Sequence, residues 1–496
     1  MTSSNTRYAQ VGRMGLAIAA AAACVLAASC GGGGGSGSNN SNTPVATIAQ
    51  QVATCDHGQP QSQVAVPTTG NSVPVMIDSG PCAYGVPFGS PSGTASSVYK
   101  VGAANVPYTS VTICTPGSTT ACQTIDHILV DTGSSGLRLM SSVLTGAATL
   151  PAISVNNAPL IECVQFADGY SWGSIRTADV HIAGESAMSL PVQVVGDSSS
   201  YTVPSGCLGT STTPLSPLND VGSFGSNGVL GVGLFKQDCG PGCVGPLNAG
   251  NGFYYSCPTT SSCSGFGPAI SQQVTNPVAL FATDNNGVVL QFPNVPAASG
   301  ALNVQGTLSF GINTQTNNQA SAGTLNTYLA EPDTGPNPGD FISTLLTASG
   351  GYNVPTTAFS NSFIDSGSNA IYFPNTGTPT VIPTDATYSW FIPVVPSSSP
   401  ADVITLTATQ QSYTGAIGPA GFSFEIANAN TVLFPSGSGN NTVFNGLGAP
   451  SGTGSGSTGG VDWGLPFFLG KTIYVGLEGD TISIAGTQQT GPFWAY

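Results

Sequence analysis

Two short stretches constrain this chain more than any other feature. Ile128-Leu129-Val130 is an apolar run that ends in Asp131-Thr132-Gly133-Ser134, after which Leu137 and Leu139 resume strand alternation. The pattern returns as Phe363-Ile364-Asp365-Ser366-Gly367-Ser368, followed by Ile371 and Phe373. A carboxylate at the end of a buried strand is costly unless it is partnered or used. Two such turns therefore point to chemistry that needs two carboxylates. Two other Asp-[Ser/Thr]-Gly triplets lack the context. Asp78-Ser79-Gly80 is followed by Pro81 and Cys82, which reads as a turn tied by a disulfide. Asp333-Thr334-Gly335 is preceded by Glu331-Pro332 and followed by Pro336, which reads as a loop.

The chain that must accommodate these turns has 496 residues, 40% of them hydrophobic and only 6% charged. Helical surfaces are normally filled with Lys, Glu and Arg, so this is not a helical protein. With 66 Gly and 37 Pro it reads as all-β with many turns. A net charge of -15 argues against nucleic acid as a partner. It is compatible with work at low pH, where few cations would be left unpaired.

The start of the chain reads as an export signal. Arg7 and Arg13 precede an apolar run from Met14 to Ala28, and Leu26-Ala27-Ala28-Ser29-Cys30 follows the small-residue rule for cleavage. This resembles a bacterial lipoprotein signal, which would make Cys30 the lipidated first residue and a membrane anchor at the cell envelope, in the periplasm or outer membrane. An ordinary secretory signal is the alternative, and both export the protein. Residues 31–42 are rich in Gly, Ser and Asn and read as a tether. Of 12 cysteines, Cys24 and Cys30 lie in the signal, leaving ten. An even number in an exported chain reads as disulfides. Sequential pairing is the simplest assignment: Cys55–Cys82, Cys114–Cys122, Cys163–Cys207, Cys239–Cys243 and Cys257–Cys263. Zinc bound by Cys239, Cys243, Cys257 and Cys263 is the competing reading.

Further segments join the two aspartate turns. Val111–Gly117 and Gln123–Val130 form a candidate hairpin before Asp131, and Val164-Gln165-Phe166-Ala167-Asp168-Gly169-Tyr170-Ser171-Trp172 carries an Asp-Gly hairpin signal after it. Gly228-Val229-Leu230-Gly231 is an apolar-apolar-Gly segment, and Gly306–Gly311 is a candidate strand. In the second half, either Trp463-Gly464 or Leu469-Gly470 stands at the corresponding place, with Asp462 interrupting the apolar pair. Over residues 108–496 the chain resembles the pepsin-like aspartic peptidases. The resemblance implies an all-β, bilobal pepsin-like fold with few short helices. Its lobes would span 96–300 and 301–496, after a signal (1–30) and a tether with an N-terminal extension (31–95). It implies an endopeptidase whose catalytic pair is Asp131 and Asp365. Thr132, Gly133, Ser134, Ser366, Gly367 and Ser368 would support the pair, and the hairpin carrying Phe166, Asp168, Gly169, Tyr170 and Trp172 would cover the substrate. No cofactor or metal is expected. The partners would be a polypeptide substrate and, through Cys30, a membrane, with the protein a monomer.

The pattern departs from the family at two places. The flap tyrosine and its tryptophan partner correspond to Phe166 and Arg138. Arg138 is expected to stack on the Phe166 ring and bring a cation to the aspartates, while Tyr170 or Trp172 takes over the flap role. Competing motifs are weaker. Gly169-Tyr170-Ser171-Trp172-Gly173 has the nucleophile-elbow spacing, but a strand follows and His181 is the only later histidine. Gly464–Thr472 has one residue too many for a phosphate loop. His127 reads as structural. The alternative functions are a catalytically inactive, surface-anchored binding protein with the same fold, and a carbohydrate hydrolase using the same carboxylates.

Overall fold

The computed structural model describes residues 64–81 and 104–496, apart from 168, 210–213, 249, 251, 321–324, 377–378, 387–388, 396–401, 417–420, 434–440 and 452–458. The signal segment with Cys30, the tether, Cys55, Cys82 and Asp168 lie outside the described residues. Alternating burial shapes what remains. In strand Ser72–Ile77 every second side chain, Val73, Val75 and Ile77, is buried, whereas strand Cys122–Asp131 ends in five consecutive buried residues. The first pattern suits a sheet with one outward face and the second a strand covered on both faces. The fold is all-β. Among the described residues, one 17-stranded sheet and one 7-stranded sheet carry it, with a small two-stranded ribbon. Helices among the described residues are short, such as Val221–Phe224 and Leu465–Phe468.

The same local topology occurs twice. Strand Gly228–Val232 runs parallel to Cys122–Asp131, with Gly231 opposite Asp131. It runs antiparallel to Ser135–Met140, with Gly231 also opposite Gly136. The chain thus leaves one side of this strand at Asp131 and returns on the other. In the second half, Asp462–Trp463 lies parallel to Ala358–Ile364 and antiparallel to Ile371–Phe373. Trp463-Gly464, not Leu469-Gly470, is therefore the counterpart of Leu230-Gly231. Val130, Leu137, Leu230, Ile364, Phe373 and Trp463 all belong to one buried cluster that spans both repeats.

Strand Val304–Phe310 pairs with Ser72–Ile77 on one side and Gly287–Gln291 on the other. Gly287–Gln291 continues to Thr472–Gly476, and that strand to Phe493–Ala495. A strand from the N-terminal extension and strands beyond residue 301 thus share one sheet, and the 300/301 division does not coincide with a break in hydrogen bonding. Four of the sequential disulfides are present: Cys114–Cys122, Cys163–Cys207, Cys239–Cys243 and Cys257–Cys263. The zinc reading of the last four cysteines is set aside, because their sulfurs are bonded in pairs.

The Asp78-Ser79-Gly80 turn has a structural partner. Asp78 Oδ1 accepts a hydrogen bond from the Gly80 amide at 2.8 Å, and Oδ2 lies 3.2 Å from His127 Nε2. His127 Nδ1 lies 3.1 Å from Asp126 Oδ2. Burial opposes a charge on His127, but hydrogen bonds to Asp126 and Asp78 outweigh it and raise the imidazole from 6.5 to about 9. The folded state holds this proton more tightly than the unfolded chain. The stabilisation is fully present below about pH 6.5 and is lost as pH rises through about 9. Denaturant midpoints are therefore expected to fall between pH 6.5 and 9, the range set by the two values of His127. His127→Gln should flatten that fall, and an unchanged slope in the variant would contradict the assignment.

Candidate active site

Asp131 ends its strand because the three residues before it are drawn into the core. The turn that follows is closed by the aspartate itself. Its Oδ1 accepts from the Gly133 amide at 2.8 Å and its Oδ2 from the Ser134 hydroxyl at 2.5 Å. The second turn repeats this arrangement, with Gly367 N donating to Asp365 Oδ1 at 2.7 Å and Ser368 Oγ to Oδ2 at 2.8 Å. Such acceptance by both oxygens holds each carboxyl in one orientation.

The two turns grip each other through the residues after the aspartates. Thr132 N donates to Ser366 Oγ at 3.1 Å, and Ser366 N donates to Thr132 Oγ1 at 2.9 Å. Each hydroxyl then donates to the carbonyl before the opposite aspartate's own: Thr132 Oγ1 to Ile364 O at 3.1 Å and Ser366 Oγ to Val130 O at 2.7 Å. All four bonds are buried. This brings the Asp131 and Asp365 carboxyls together, each beside the glycine of the opposite turn. Burial first, then the charge of Asp131, hold Asp365 well above the usual carboxylate range. Asp131 and Asp365 are both buried, at 7% and 6% exposure.

Glycine is required at both turns by contact. A Cβ on Gly133 would stand 2.5 Å from Asp365 Cγ, and one on Gly367 would stand 2.7 Å from Asp131 Oδ1. Any side chain there would push the two carboxyls apart.

The expected hairpin is present. Strands Ala158–Gln165 and Gly169–Ile182 pair with Gln165 opposite Tyr170, and the Phe166 amide donates to Gly169 O at 2.7 Å. Val164 and Gln165 of this hairpin line a cavity together with Thr132, Gly133, Ser134 and Ser135. Its other walls include Leu234, Phe235, Phe253, Asp333, Phe363 and Trp494.

Three expectations about the hairpin are corrected. Arg138 does not stack on Phe166 and brings no free cation to the aspartates. It is 2% exposed, and its guanidinium donates to Ser135 O at 2.9 Å, Glu162 Oε1 at 3.1 Å and Asp238 Oδ2 at 2.9 Å. Two buried carboxylates attract a guanidinium far more strongly than a ring face does. Phe166 instead meets Phe224 edge-on, with ring centroids 5.1 Å apart. Tyr170 and Trp172 do not take over the flap role. Both are buried against the Cys163–Cys207 disulfide and Tyr255, and the Trp172 indole donates to Ser198 O.

Several residues that matter were not singled out from the sequence. Glu162 and Asp238 pair with Arg138, and the Tyr254 hydroxyl donates to Asp238 Oδ1 at 2.8 Å. Asp462 is 1% exposed and close enough to the pair to feel the charges of Asp365 and Asp131. The only signal in the sequence for Glu162 and Asp462 is a charged residue interrupting an apolar run.

A family model described as a protein of unknown function (DUF3443) matches residues 92–496. No curated protein matches the chain. Among solved structures, an aspartic proteinase from Irpex lacteus is similar, with a TM-score of 0.42 and 16% sequence identity, over 86% of this chain and 96% of that one.

Proposed function

The chain belongs to the family described as proteins of unknown function (DUF3443), and we propose that it is an aspartic endopeptidase acting through Asp131 and Asp365. The observation that carries this reading is the interlock of Thr132 with Ser366, which brings together two carboxyls, each fixed by its own turn. Two carboxyls this close cannot both ionise readily, so they keep one proton between them. The titration belongs to the pair.

The chemistry follows from that shared proton. The ionised carboxyl takes a proton from a water as the water oxygen attacks the scissile carbonyl carbon. The protonated carboxyl gives its proton to the carbonyl oxygen, and a tetrahedral diol forms. The C–N bond then breaks. The leaving nitrogen takes the proton that came from the water, and a diol hydroxyl returns a proton to the other carboxyl. Ser134 and Ser368 keep the outer oxygens bonded through the cycle. The cavity walls of Leu234, Phe235, Phe253 and Trp494 favour apolar side chains in the substrate.

The carbohydrate-hydrolase alternative fits less well. That chemistry separates its carboxyls by roughly 5–9.5 Å to admit a sugar carbon or a water, whereas the Thr132–Ser366 clasp draws these two together. The inactive binding protein is the remaining alternative. The four disulfides among the described residues fit an oxidising compartment, and we propose that the protein is anchored at a bacterial cell envelope through Cys30. No helix among the described residues is long and apolar enough to cross a membrane.

The test is cleavage of a denatured polypeptide by the purified protein across acidic pH. Turnover should be highest below neutral pH and should be blocked by a peptide mimic carrying a hydroxyl in place of the scissile carbonyl. Absence of cleavage under all these conditions would favour the binding protein.

A further inference from the structure

The Asp333-Thr334-Gly335 triplet has no part in the catalytic pair, yet the fold brings it to the same cavity. Its loop is held by local bonds. Gly335 N donates to Pro332 O at 2.9 Å, Gly339 N to Glu331 O at 2.8 Å and Asn337 N to Glu331 Oε2 at 3.2 Å. Asp333 then lines the cavity that also touches the Thr132–Ser135 turn. Gly240, in the loop closed by the Cys239–Cys243 disulfide, lines the same wall. A Cβ on Gly240 would stand 3.1 Å from Asp333 Oδ2, and its φ of +64° itself favours glycine. A carboxylate from the second half of the chain thus lies across bare backbone from the first half.

Three charged residues line the cavity: Arg138, Asp238 and Asp333. Arg138 is committed to Asp238 at 2.9 Å and to Glu162 at 3.1 Å, so it offers no positive charge to a ligand. Lys236, on the same stretch of chain, has its ammonium 3.3 Å from Asp480. The lining is therefore negative in sum, and its half-buried carboxylate is Asp333. A carboxylate has about four acceptor sites, so it can take a ligand's donor in addition to its bonds within the fold. Leu234, Phe235, Phe253 and Trp494 make much of the remaining wall apolar. A long aliphatic stem with a cation at its end suits both parts of this lining. A purely aliphatic side chain would cover the apolar wall and leave the carboxylate facing it, which is costly.

We propose that the cavity is a subsite for a lysine or arginine side chain of the substrate, and that Asp333 is the residue that selects for its positive charge. The binding stands on the cavity and its charge; that the bound polypeptide is then cut rests on the peptidase reading. The chain as a whole works in the same direction, since 22 acidic residues against 7 basic ones draw basic polypeptides towards it.

Uncleavable peptide mimics with a hydroxyl at the scissile position test this. Each carries lysine or norleucine at one flanking position, and each is titrated calorimetrically into the parent and into Asp333→Asn. At one position lysine should bind about fivefold or more tightly than norleucine in the parent. The ratio should fall to about one in Asp333→Asn, and Asp333→Lys should prefer glutamate there instead. Added salt should shrink the preference. The ratio is read within each protein, so a variant that folds poorly weakens both peptides and does not imitate the result. Cleavage of denatured polypeptides, read by mass spectrometry, separates this proposal from the peptidase reading. Lysine-selective binding without cleavage would remove the peptidase and leave the subsite standing. Cleavage with no preference for a basic residue at any fixed position would remove the subsite and leave the peptidase. Equal binding of the two peptide sets at every position, binding of neither, or a lysine preference that survives Asp333→Asn would likewise overturn the proposal.

Discussion

Replacing Asp131 or Asp365 with Asn is expected to lower kcat/KM on an unfolded polypeptide by about 10³- to 10⁴-fold while leaving the fold intact. An amide has the size of the carboxyl it replaces. Its oxygen can still accept from the amide of Gly133 or Gly367, and its nitrogen can donate to the hydroxyl of Ser134 or Ser368. The interlock of Thr132 and Ser366 uses no carboxyl and should survive both changes. What the amide cannot do is exchange a proton with a water or a carbonyl oxygen. The two losses should not add, because either one removes the shared proton. Unfolding midpoints should stay close to the parent's. Asp365→Asn should tend towards greater stability at high pH, where the raised carboxyl is forced to ionise beside Asp131 in the parent. Its raised folded value means that the parent loses stability as pH rises, not as it falls. Retention of peptidase activity in both variants would remove the assignment of the pair. A parent protein inert on every denatured substrate would point to the binding alternative.

Arg138→Leu is expected to cost about 3–5 kcal/mol of stability at neutral pH, which is the cost of breaking a buried ion pair from one side. The guanidinium is wrapped by Ser135 O, Glu162 and Asp238, and Glu162 has no exposed surface. Leucine fills much of the space but leaves two carboxyls facing each other in a dry site. The loss should shrink as pH falls, because both orphaned groups can then take up protons. Burial, then the nearby Glu162, already raise Asp238 well above its usual range with the arginine in place. Arg138→Lys should recover only part of the stability, since an ammonium cannot present the planar fork to three acceptors. Urea unfolding at neutral and acidic pH measures both effects. A cation stacked on Phe166 beside the aspartates would behave in the reverse way, with a changed pH profile and little change of stability. That outcome would show that the guanidinium serves the cleft after all.

The contrast between Arg138 and Asp131 marks where the sequence was sufficient. The position of Asp131 and Asp365 was legible because it depends on neighbours in the chain. An apolar run makes a buried strand, and Asp-Thr-Gly-Ser or Asp-Ser-Gly-Ser closes its own turn through bonds spanning two and three residues. Three of the four disulfides were equally local, closing loops of 8, 4 and 6 residues. The all-β class followed from the scarcity of charged residues, since no helix surface could be built from them. The tertiary structure decided everything that depends on which distant groups share a site. Thr132 and Ser366 are 234 residues apart, and only packing turned two hydroxyls into the clasp that makes a pair of two aspartates. Arg138 had a ring nearby in prospect and found two carboxylates, one of them 100 residues away, because buried charge seeks opposite charge before it seeks a π face. Asp462 looked like a flaw in an apolar-Gly segment. Folding buried it between Phe363 and Tyr372, because the short strand that carries it has a neighbour on each side.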